Sequence, residues 1–196
     1  MRRVQTAEPV DTPPSDFRRL AEETIYQGHV IRVVRADFAG PAGERFRRDV
    51  VRSPGAVAVV PVLVGPDGPE TLLVRQYRPA IDRWLTEIPA GLRDKPGEDP
   101  LDTAVRELIE ETGFMARRCT LLTTFLNAAG MTDQQTHIYL AEDLEEVGRA
   151  GDGVEEAYLE VLRVPFAAVR PMIDRQELAD AKTVIGLLLA LGHLGL

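Results

Sequence analysis

The sequence predicts an α/β fold, and three stretches carry that prediction. Residues 56–64, AVAVVPVLV, form a nearly continuous apolar run, which is typical of a strand buried on both faces. Residues 100–112 place apolar side chains at helical spacing between a capping aspartate and a glycine. Residues 179–191, ADAKTVIGLLLAL, predict a second helix that is amphipathic or largely buried.

Length and composition narrow the class of protein. A chain of 196 residues suits one domain with an appendage. Its net charge of −8 argues against a broad nucleic-acid-binding surface, and the single Cys119 excludes an internal disulfide framework or a Cys-rich zinc site. No apolar stretch suggests a signal peptide or a membrane span. We therefore expect a cytoplasmic protein that binds neither nucleic acid nor membrane.

The N-terminal quarter predicts a tail followed by a small sheet. Residues 1–15 are polar and contain a Pro-Pro pair, which favours a flexible tail. Residues 16–53 form a separate unit, in which we expect strands at 25–26, 29–38 and 44–51 with turns at 27–28 and 40–43. A sheet this small usually needs a partner surface.

The remaining residues, 54–196, predict one domain. After the strand at 56–64, a turn at 65–68 leads to a partner strand at 71–74. Further strands are expected at 119–126 and 136–140, an acidic loop at 142–153, and a short helix at 165–169 before the C-terminal helix.

The helix over residues 100–112 has clear start and stop signals. Asp99 suits the N-cap, Pro100 suits the first helical position, and Gly113 is a natural C-terminal stop. Five apolar side chains at helical spacing predict one buried stripe: Leu101, Ala104, Val105, Leu108 and Ile109.

Three acids share another face of this helix. Glu107, Glu110 and Glu111 are neighbours because residues three and four apart lie together on a helix. Their mutual repulsion indicates a cationic partner, and Mg2+ takes one or two carboxylates together with water and phosphate oxygens. The alternative is a solvated acidic surface.

The longer pattern resembles the Nudix box, G-x5-E-x7-R-E-U-x-E-E-x-G-U, where U is apolar. It begins at Gly91 and Glu98 and continues as R-E-L-I-E-E-T-G-F over residues 106–114, with six residues instead of five between Gly91 and Glu98. The resemblance implies an α/β/α sandwich with a mixed sheet, and Mg2+-dependent hydrolysis, with Mn2+ as a possible substitute, of a nucleoside diphosphate linked to another group.

The Nudix resemblance also implies roles for individual residues. Helix geometry, at about 100° per residue, also turns Arg106 away from the metal face, so we expect it to orient a carboxylate, with Glu98 as the expected partner. Glu110 and Glu111 would act in catalysis. The implied metal-binding groups are the Ala90 carbonyl, Glu98, Glu107, Glu110 and Glu111.

Other segments resemble the ADP-ribose pyrophosphatase branch of that family. These are R-R-D at 47–49 before G-A-V at 55–57, R-Q-Y-R at 75–78, E-I-P-A-G at 87–91 and the acidic run at 155–161. The resemblance implies a homodimer formed through the N-terminal strands and Glu155 as catalytic base. The substrate-contacting residues it implies are Arg48, Arg75, Arg78 and Glu87.

Two residues depart from the branch's ADP-ribose pattern. Ala129 stands where a proline is common, and Gln134 where a glutamate is expected. They leave open another Nudix specificity, such as a CDP-alcohol, GDP-sugar, dinucleotide or damaged nucleotide. A non-catalytic nucleotide-sensing module is a further alternative, although it would not need every acid of the box.

Overall fold

The computed structural model describes residues 17–149 and 158–196, and the chain divides into two compact units between Ser53 and Pro54. The predicted tail, residues 1–15, lies outside the described residues. In the described part, no helix is long and apolar enough to cross a membrane.

The N-terminal unit is an antiparallel sheet in the order β1-β2-β3. Its strands are β1 (Arg18–Gln27), β2 (Arg32–Ala39) and β3 (Arg45–Arg52). Strand β1 begins well before the predicted 25–26, because it pairs along the full length of β2. The chain reverses after β2, where Gly40 N donates a hydrogen bond to Glu44 O at 2.8 Å.

The second unit contains a mixed sheet in the order β10-β5-β4-β9-β8, with β6 beside β5 and β7 beside β4. Strands β4 and β9 run parallel, and the other pairs are antiparallel. The strands are β4 (Ala56–Gly65), β5 (Gly68–Arg78), β6 (Arg83–Glu87), β7 (Ala90–Leu92), β8 (Phe114–Leu126), β9 (Gln135–Glu146) and β10 (Glu160–Pro165).

Helices cover both faces of this sheet. They are α1 (Pro100–Thr112), α2 (Phe166–Asp174) and α3 (Ala181–Leu194), with a short 3-10 turn at Pro79–Ile81. Successive residues of a strand point to opposite faces. Val57 and Val59 accordingly pack with α1, whereas Ala58 and Val60 pack with α2 and α3. The predicted α/β/α sandwich with a mixed sheet is confirmed.

The apolar run at 56–64 is buried on both faces only in part. Residues 57–61 are buried, but Val64, next to the β4–β5 turn, is 99% exposed. The apolar stripe of α1 also differs from the prediction. Ala104 and Leu108 are buried, but Leu101 is exposed and the polar Thr103, Glu111 and Thr112 are buried instead.

Two strands are longer than predicted. Strand β8 starts at Phe114 immediately after the glycine stop of α1, and β9 continues to Glu146. The acidic residues at 142–146 therefore belong to a strand, where Glu142 pairs with Arg118 and Glu145 with Arg117. The predicted acidic loop at 142–153 is therefore wrong for residues 142–146. Residues 147–149 follow the strand, and residues 150–153 lie outside the described part of the chain.

Candidate active site

Side chains of opposite charge line a cavity of about 410 Å3 in the second unit. Strands β4, β5 and β7, helix α1 and the first turn of α3 contribute to its wall. The charged lining residues are Arg78, Asp94, Glu107, Glu111, Asp180 and Lys182. The uncharged lining residues are Ala56, Gln76, Ala90, Gly91, Leu92, Asn127, Gln134, Thr136, Leu159 and Ala181.

Helix α1 brings Glu107 and Glu111 to this cavity one turn apart. The helix begins after Asp99, whose carboxylate accepts a hydrogen bond from Leu101 N at 2.8 Å, and it ends at Gly113 with φ 78°. Both ends agree with the caps predicted from sequence. Because residues four apart share one helix face, the two carboxylates face the cavity together.

Strand β7 packs closely against these two acids. Glu111 Oε2 accepts a hydrogen bond from Ala90 N at 2.9 Å. A Cβ atom added at Gly91 would lie only 2.0 Å from Glu107 Cδ. Glycine at this position therefore lets the Glu107 carboxylate lie against the strand backbone, which gives a physical reason for the glycine that opens the motif.

Burial changes the titration of both carboxyl groups. It raises the pKa of Glu111 to about 8; the hydrogen bond from Ala90 N lowers this pKa, and the neighbouring charge of Glu107 raises it further. Burial also raises the pKa of Glu107, against the lowering effect of Arg106. A buried and a half-buried acid, both with raised pKa values, are well suited to a divalent cation, which would stabilise both charges.

Arg106 binds several acids of the motif at once. Its Nη1 donates to Glu107 Oε1 at 2.7 Å and to Glu110 Oε2 at 2.8 Å, and its Nη2 lies 3.4 Å from Glu98 Oε2. The hydrogen bond to Glu98 and the charges of Glu107 and Glu110 raise the pKa of Arg106, although burial opposes them. Glu98 also accepts a hydrogen bond from Thr103 Oγ1 at 2.9 Å, and the bonds from Thr103 and Arg106 lower its pKa.

The donors in the cavity fit a divalent cation, but only some of the predicted metal-binding groups lie there. Glu107, Glu111 and Ala90 line the cavity, whereas Glu98 and Glu110 are held by Arg106 outside it. Within the described residues, no group of three or more His, Cys, Asp or Glu side chains is arranged to hold a metal. Two carboxylates completed by water and phosphate oxygens still match the coordination that Mg2+ accepts.

Arg78 and Lys182 meet at one buried carboxylate, Glu87. Arg78 Nε and Nη2 donate to the two Glu87 oxygens at 2.8 and 2.6 Å, and Lys182 Nζ donates to Glu87 Oε2 and, at 2.9 Å, to Asp180 Oδ2. Burial alone would raise the pKa of Glu87, but the Arg78 hydrogen bond and the Lys182 charge lower it to about 2. Glu87 is 1% exposed and does not line the cavity, so it holds the Arg78 and Lys182 side chains in place from behind the cavity wall.

Arg75, Arg48 and Glu155 are the other residues for which a role was predicted. Arg75 does not line the cavity; it pairs with Glu160 at 3.1 Å and lies 5.3 Å from the ring centroid of Trp84. Arg48 belongs to the N-terminal unit, where its guanidinium lies 5.0 Å from the Phe46 ring centroid. Glu155 lies outside the described residues.

Sequence reasoning did not identify Lys182 or Gln76 as members of the site. Lys182 occupies the first turn of α3, where an acid would be the favourable charge, and this local conflict is the signal that marks it. Gln76 stands between the arginines of R-Q-Y-R, and its Nε2 atom is buried with no hydrogen-bond partner among the described residues. Neither residue could be assigned to the cavity before β5 and α3 were placed together.

Comparison with known proteins agrees with this geometry. Residues 52–184 match the model of the NUDIX domain family. An ADP-ribose pyrophosphatase of Bacillus subtilis is 37% identical over 85% of this chain and 88% of its own, and a GDP-mannose pyrophosphatase of Cronobacter sakazakii is 32% identical over 80% and 84%. The crystal structure of an ADP compounds hydrolase superposes with a TM-score of 0.79 at 26% identity, and the match covers 94% of this chain and 97% of that one. The chain therefore belongs to the Nudix family and is a hydrolase that acts on pyrophosphate bonds.

Proposed function

We propose that this enzyme hydrolyses ADP-ribose or a related nucleotide sugar to a nucleoside monophosphate and a phosphorylated sugar. Water adds across the phosphoric anhydride, so that one P–O bond breaks and each product keeps one phosphate. The observation that carries the proposal is the cavity itself, in which Glu107 and Glu111 share one space with Arg78 and Lys182. The reaction requires carboxylates that bind a metal ion and positively charged side chains that bind phosphates.

The metal in this proposal is Mg2+, with Mn2+ as a substitute, held by Glu107, Glu111 and the Ala90 carbonyl. When bound, it neutralises charge on the diphosphate and lowers the pKa of a bound water. Arg106 positions the Glu107 carboxylate through its 2.7 Å hydrogen bond and keeps Glu110 and Glu98 beside the helix as supporting acids. Arg78 presents its guanidinium to the substrate phosphates from a fixed orientation on Glu87.

Two further roles rest on resemblance alone. Glu155 is the proposed base that takes the proton of the attacking water. Arg48 and Arg75 are proposed substrate contacts, although Arg75 would have to leave Glu160 to reach the cavity.

A second candidate substrate is a nucleotide sugar with another base, such as a GDP-sugar. Gln134 lines the cavity in the position where the ADP-ribose pattern has a glutamate, and a relative of comparable coverage is a GDP-mannose pyrophosphatase. An amide both donates and accepts hydrogen bonds, so it recognises a different set of ring atoms or hydroxyls from a carboxylate.

A homodimer completes the proposal. The N-terminal unit exposes several large apolar side chains, among them Ile25 and Tyr26 on β1 and Val30 and Ile31 in the β1–β2 connection. Several exposed apolar side chains in a small sheet unit are typical of a surface that packs against a partner.

A hydrolysis panel tests the function. The enzyme is incubated, with Mg2+ and with Mn2+, with each of six substrates: ADP-ribose, GDP-mannose, UDP-glucose, CDP-choline, NADH and a diadenosine polyphosphate. The phosphate that a phosphatase then releases from the products is measured. We expect the highest kcat/KM for ADP-ribose and a loss of at least about 100-fold in Glu111→Gln, because that change removes a charged ligand. Near-normal activity in Glu111→Gln would refute the metal assignment, and a preference for GDP-mannose would select the second candidate.

In the same assay Glu155→Gln should lower kcat with little change in metal affinity. An unchanged pH-rate profile would exclude Glu155 as the base.

A further inference from the structure

We propose that Lys182 is a substrate-binding residue that donates a hydrogen bond to a phosphate oxygen of the diphosphate, next to Arg78, and that Glu87 is the positioning residue for both cations. The inference rests on the proposed function only in requiring a substrate with a diphosphate. It does not depend on which nucleoside or sugar that diphosphate joins.

The position of Lys182 in its helix is unfavourable for a cation. Helix α3 begins at Ala181 after the N-cap Asp180, whose Oδ2 accepts hydrogen bonds from Thr183 N at 3.0 Å and Thr183 Oγ1 at 2.7 Å. The first turn of a helix carries partial positive charge, so a lysine there gains nothing from the helix dipole. Other interactions must hold the ammonium in place, and Glu87 and Asp180 supply them.

Glu87 directs Lys182 to the same space as Arg78. The carboxylate is buried at the end of β6, and it receives Arg78 from β5 and Lys182 from α3. Both cationic side chains line the cavity, whereas Glu87 does not. One buried acid therefore fixes two cations at a wall that also approaches the Glu107 and Glu111 carboxylates.

Lys182 retains an unused donor. An ammonium has three N–H groups, and within residues 17–149 and 158–196 its hydrogen-bond acceptors are Glu87 and Asp180. The side chain is 13% exposed and lines the cavity, so the third donor is positioned for a ligand and is largely removed from bulk water. A charged donor in such a setting binds an anion more strongly than it would at the surface.

Gln76 is a second polar donor at this wall. It is 6% exposed, lines the same cavity, and its Nε2 finds no hydrogen-bond partner in the described part of the chain. A buried amide N–H without an acceptor is costly, so a ligand oxygen at this place would satisfy it. Phosphate oxygens provide the acceptors that both Gln76 and Lys182 need.

Methylenediphosphonate tests the inference without assuming a nucleoside or a sugar. Its dissociation constant is measured by titration calorimetry at fixed Mg2+ for the wild type, Lys182→Met and Lys182→Arg. Arg170→Met serves as the control for loss of one positive charge, because Arg170 is exposed on α2 and does not line the cavity. We expect Lys182→Met to raise the dissociation constant by about fivefold to twentyfold, Lys182→Arg to restore most of the affinity, and Arg170→Met to bind as the wild type does.

Kinetics and salt dependence separate binding from a structural role. With the best substrate of the panel, Lys182→Met should raise KM more than it lowers kcat, and the KM of the wild type should rise more steeply with NaCl than that of the variant, because salt screens the charge. Equal affinity of Lys182→Met and wild type for methylenediphosphonate would overturn the inference. A lower melting temperature of the variant, without a loss of affinity, would indicate a purely structural role. Should Lys182→Met fail to fold, Lys182→Gln is measured in its place against the same criteria. Failure of the proposed function would appear separately, as a wild type that binds methylenediphosphonate but hydrolyses nothing in the panel.

Discussion

Glu87 is the residue on which the cationic wall of the cavity depends. Its carboxylate is buried and receives hydrogen bonds from Arg78 and Lys182. Removing one partner of a buried ion pair leaves the other charges uncompensated, at a cost of roughly 3–5 kcal/mol. We expect Glu87→Gln to lower the free energy of unfolding at pH 7 by about 3 kcal/mol, measured by urea denaturation. Glu160→Gln, which breaks the exposed pair with Arg75, should change it by less than about 0.5 kcal/mol.

The same carboxylate predicts a pH dependence. Hydrogen bonding to Arg78 and the charge of Lys182 hold the pKa of Glu87 at about 2, below its ordinary value of 4.5. A lowered pKa stabilises the folded state fully above pH 4.5, and this contribution is lost as the pH falls toward 2. The stability difference between wild type and Glu87→Gln should therefore be constant from pH 7 to 5 and narrow below pH 4.5. A difference that stays constant down to pH 3 would contradict this pairing.

At the scale of the element, α3 lies unusually close to the sheet at Gly186. A Cβ atom there would lie 3.0 Å from Ile88 Cδ1, 3.1 Å from Val60 Cγ2 and 3.2 Å from Ile138 Cγ2. Alanine normally stabilises a helix over glycine by roughly 0.5–1 kcal/mol. We expect Gly186→Ala not to raise the free energy of unfolding in this way, because the helix must move away from three buried side chains.

Gly192 provides the matched control in the same helix. A Cβ atom there meets nothing within 4 Å. Gly192→Ala should therefore raise the free energy of unfolding by roughly 0.5–1 kcal/mol, and Gly186→Ala should be less stable than Gly192→Ala by about 1 kcal/mol or more. Equal melting temperatures for the two variants would show that the contact at Gly186 is not tight.

At the scale of the whole molecule, the proposed homodimer is tested on the full chain. Light scattering after size exclusion should give twice the chain mass of 21.6 kDa. Tyr26, 60% exposed on β1, is changed to Glu, and Val64, exposed on the β4–β5 hairpin, is changed to Glu as the control. We expect Tyr26→Glu to shift the mass toward a monomer, because a charge on an apolar interface is costly to bury, and Val64→Glu to leave it unchanged. A monomeric wild type would refute the proposal.

The local signals in the sequence predicted local structure well. Asp99, Pro100 and Gly113 identified α1 to the residue, since caps and stops act through neighbouring backbone groups. The spacing of Glu107 and Glu111 likewise predicted a shared face, which the helix geometry alone guarantees. Strand ends were less predictable: β1, β8 and β9 extend to where their partners end, and pairing between distant segments is not encoded in the strand's own residues.

The tertiary structure decided which charged residues line the cavity and which hold other residues in position. The sequence determined the family motif, the box helix with its acids, and the candidate cation Arg78. It did not separate Glu107 and Glu111 in the cavity from Glu110 and Glu98 around Arg106, because that depends on where β7 packs against α1. Nor did it bring Lys182 to Glu87, a contact across 95 residues that exists only after β6 and α3 meet. Helical spacing is a property of one segment, whereas the charge, burial and pKa of a side chain are set by every segment packed around it.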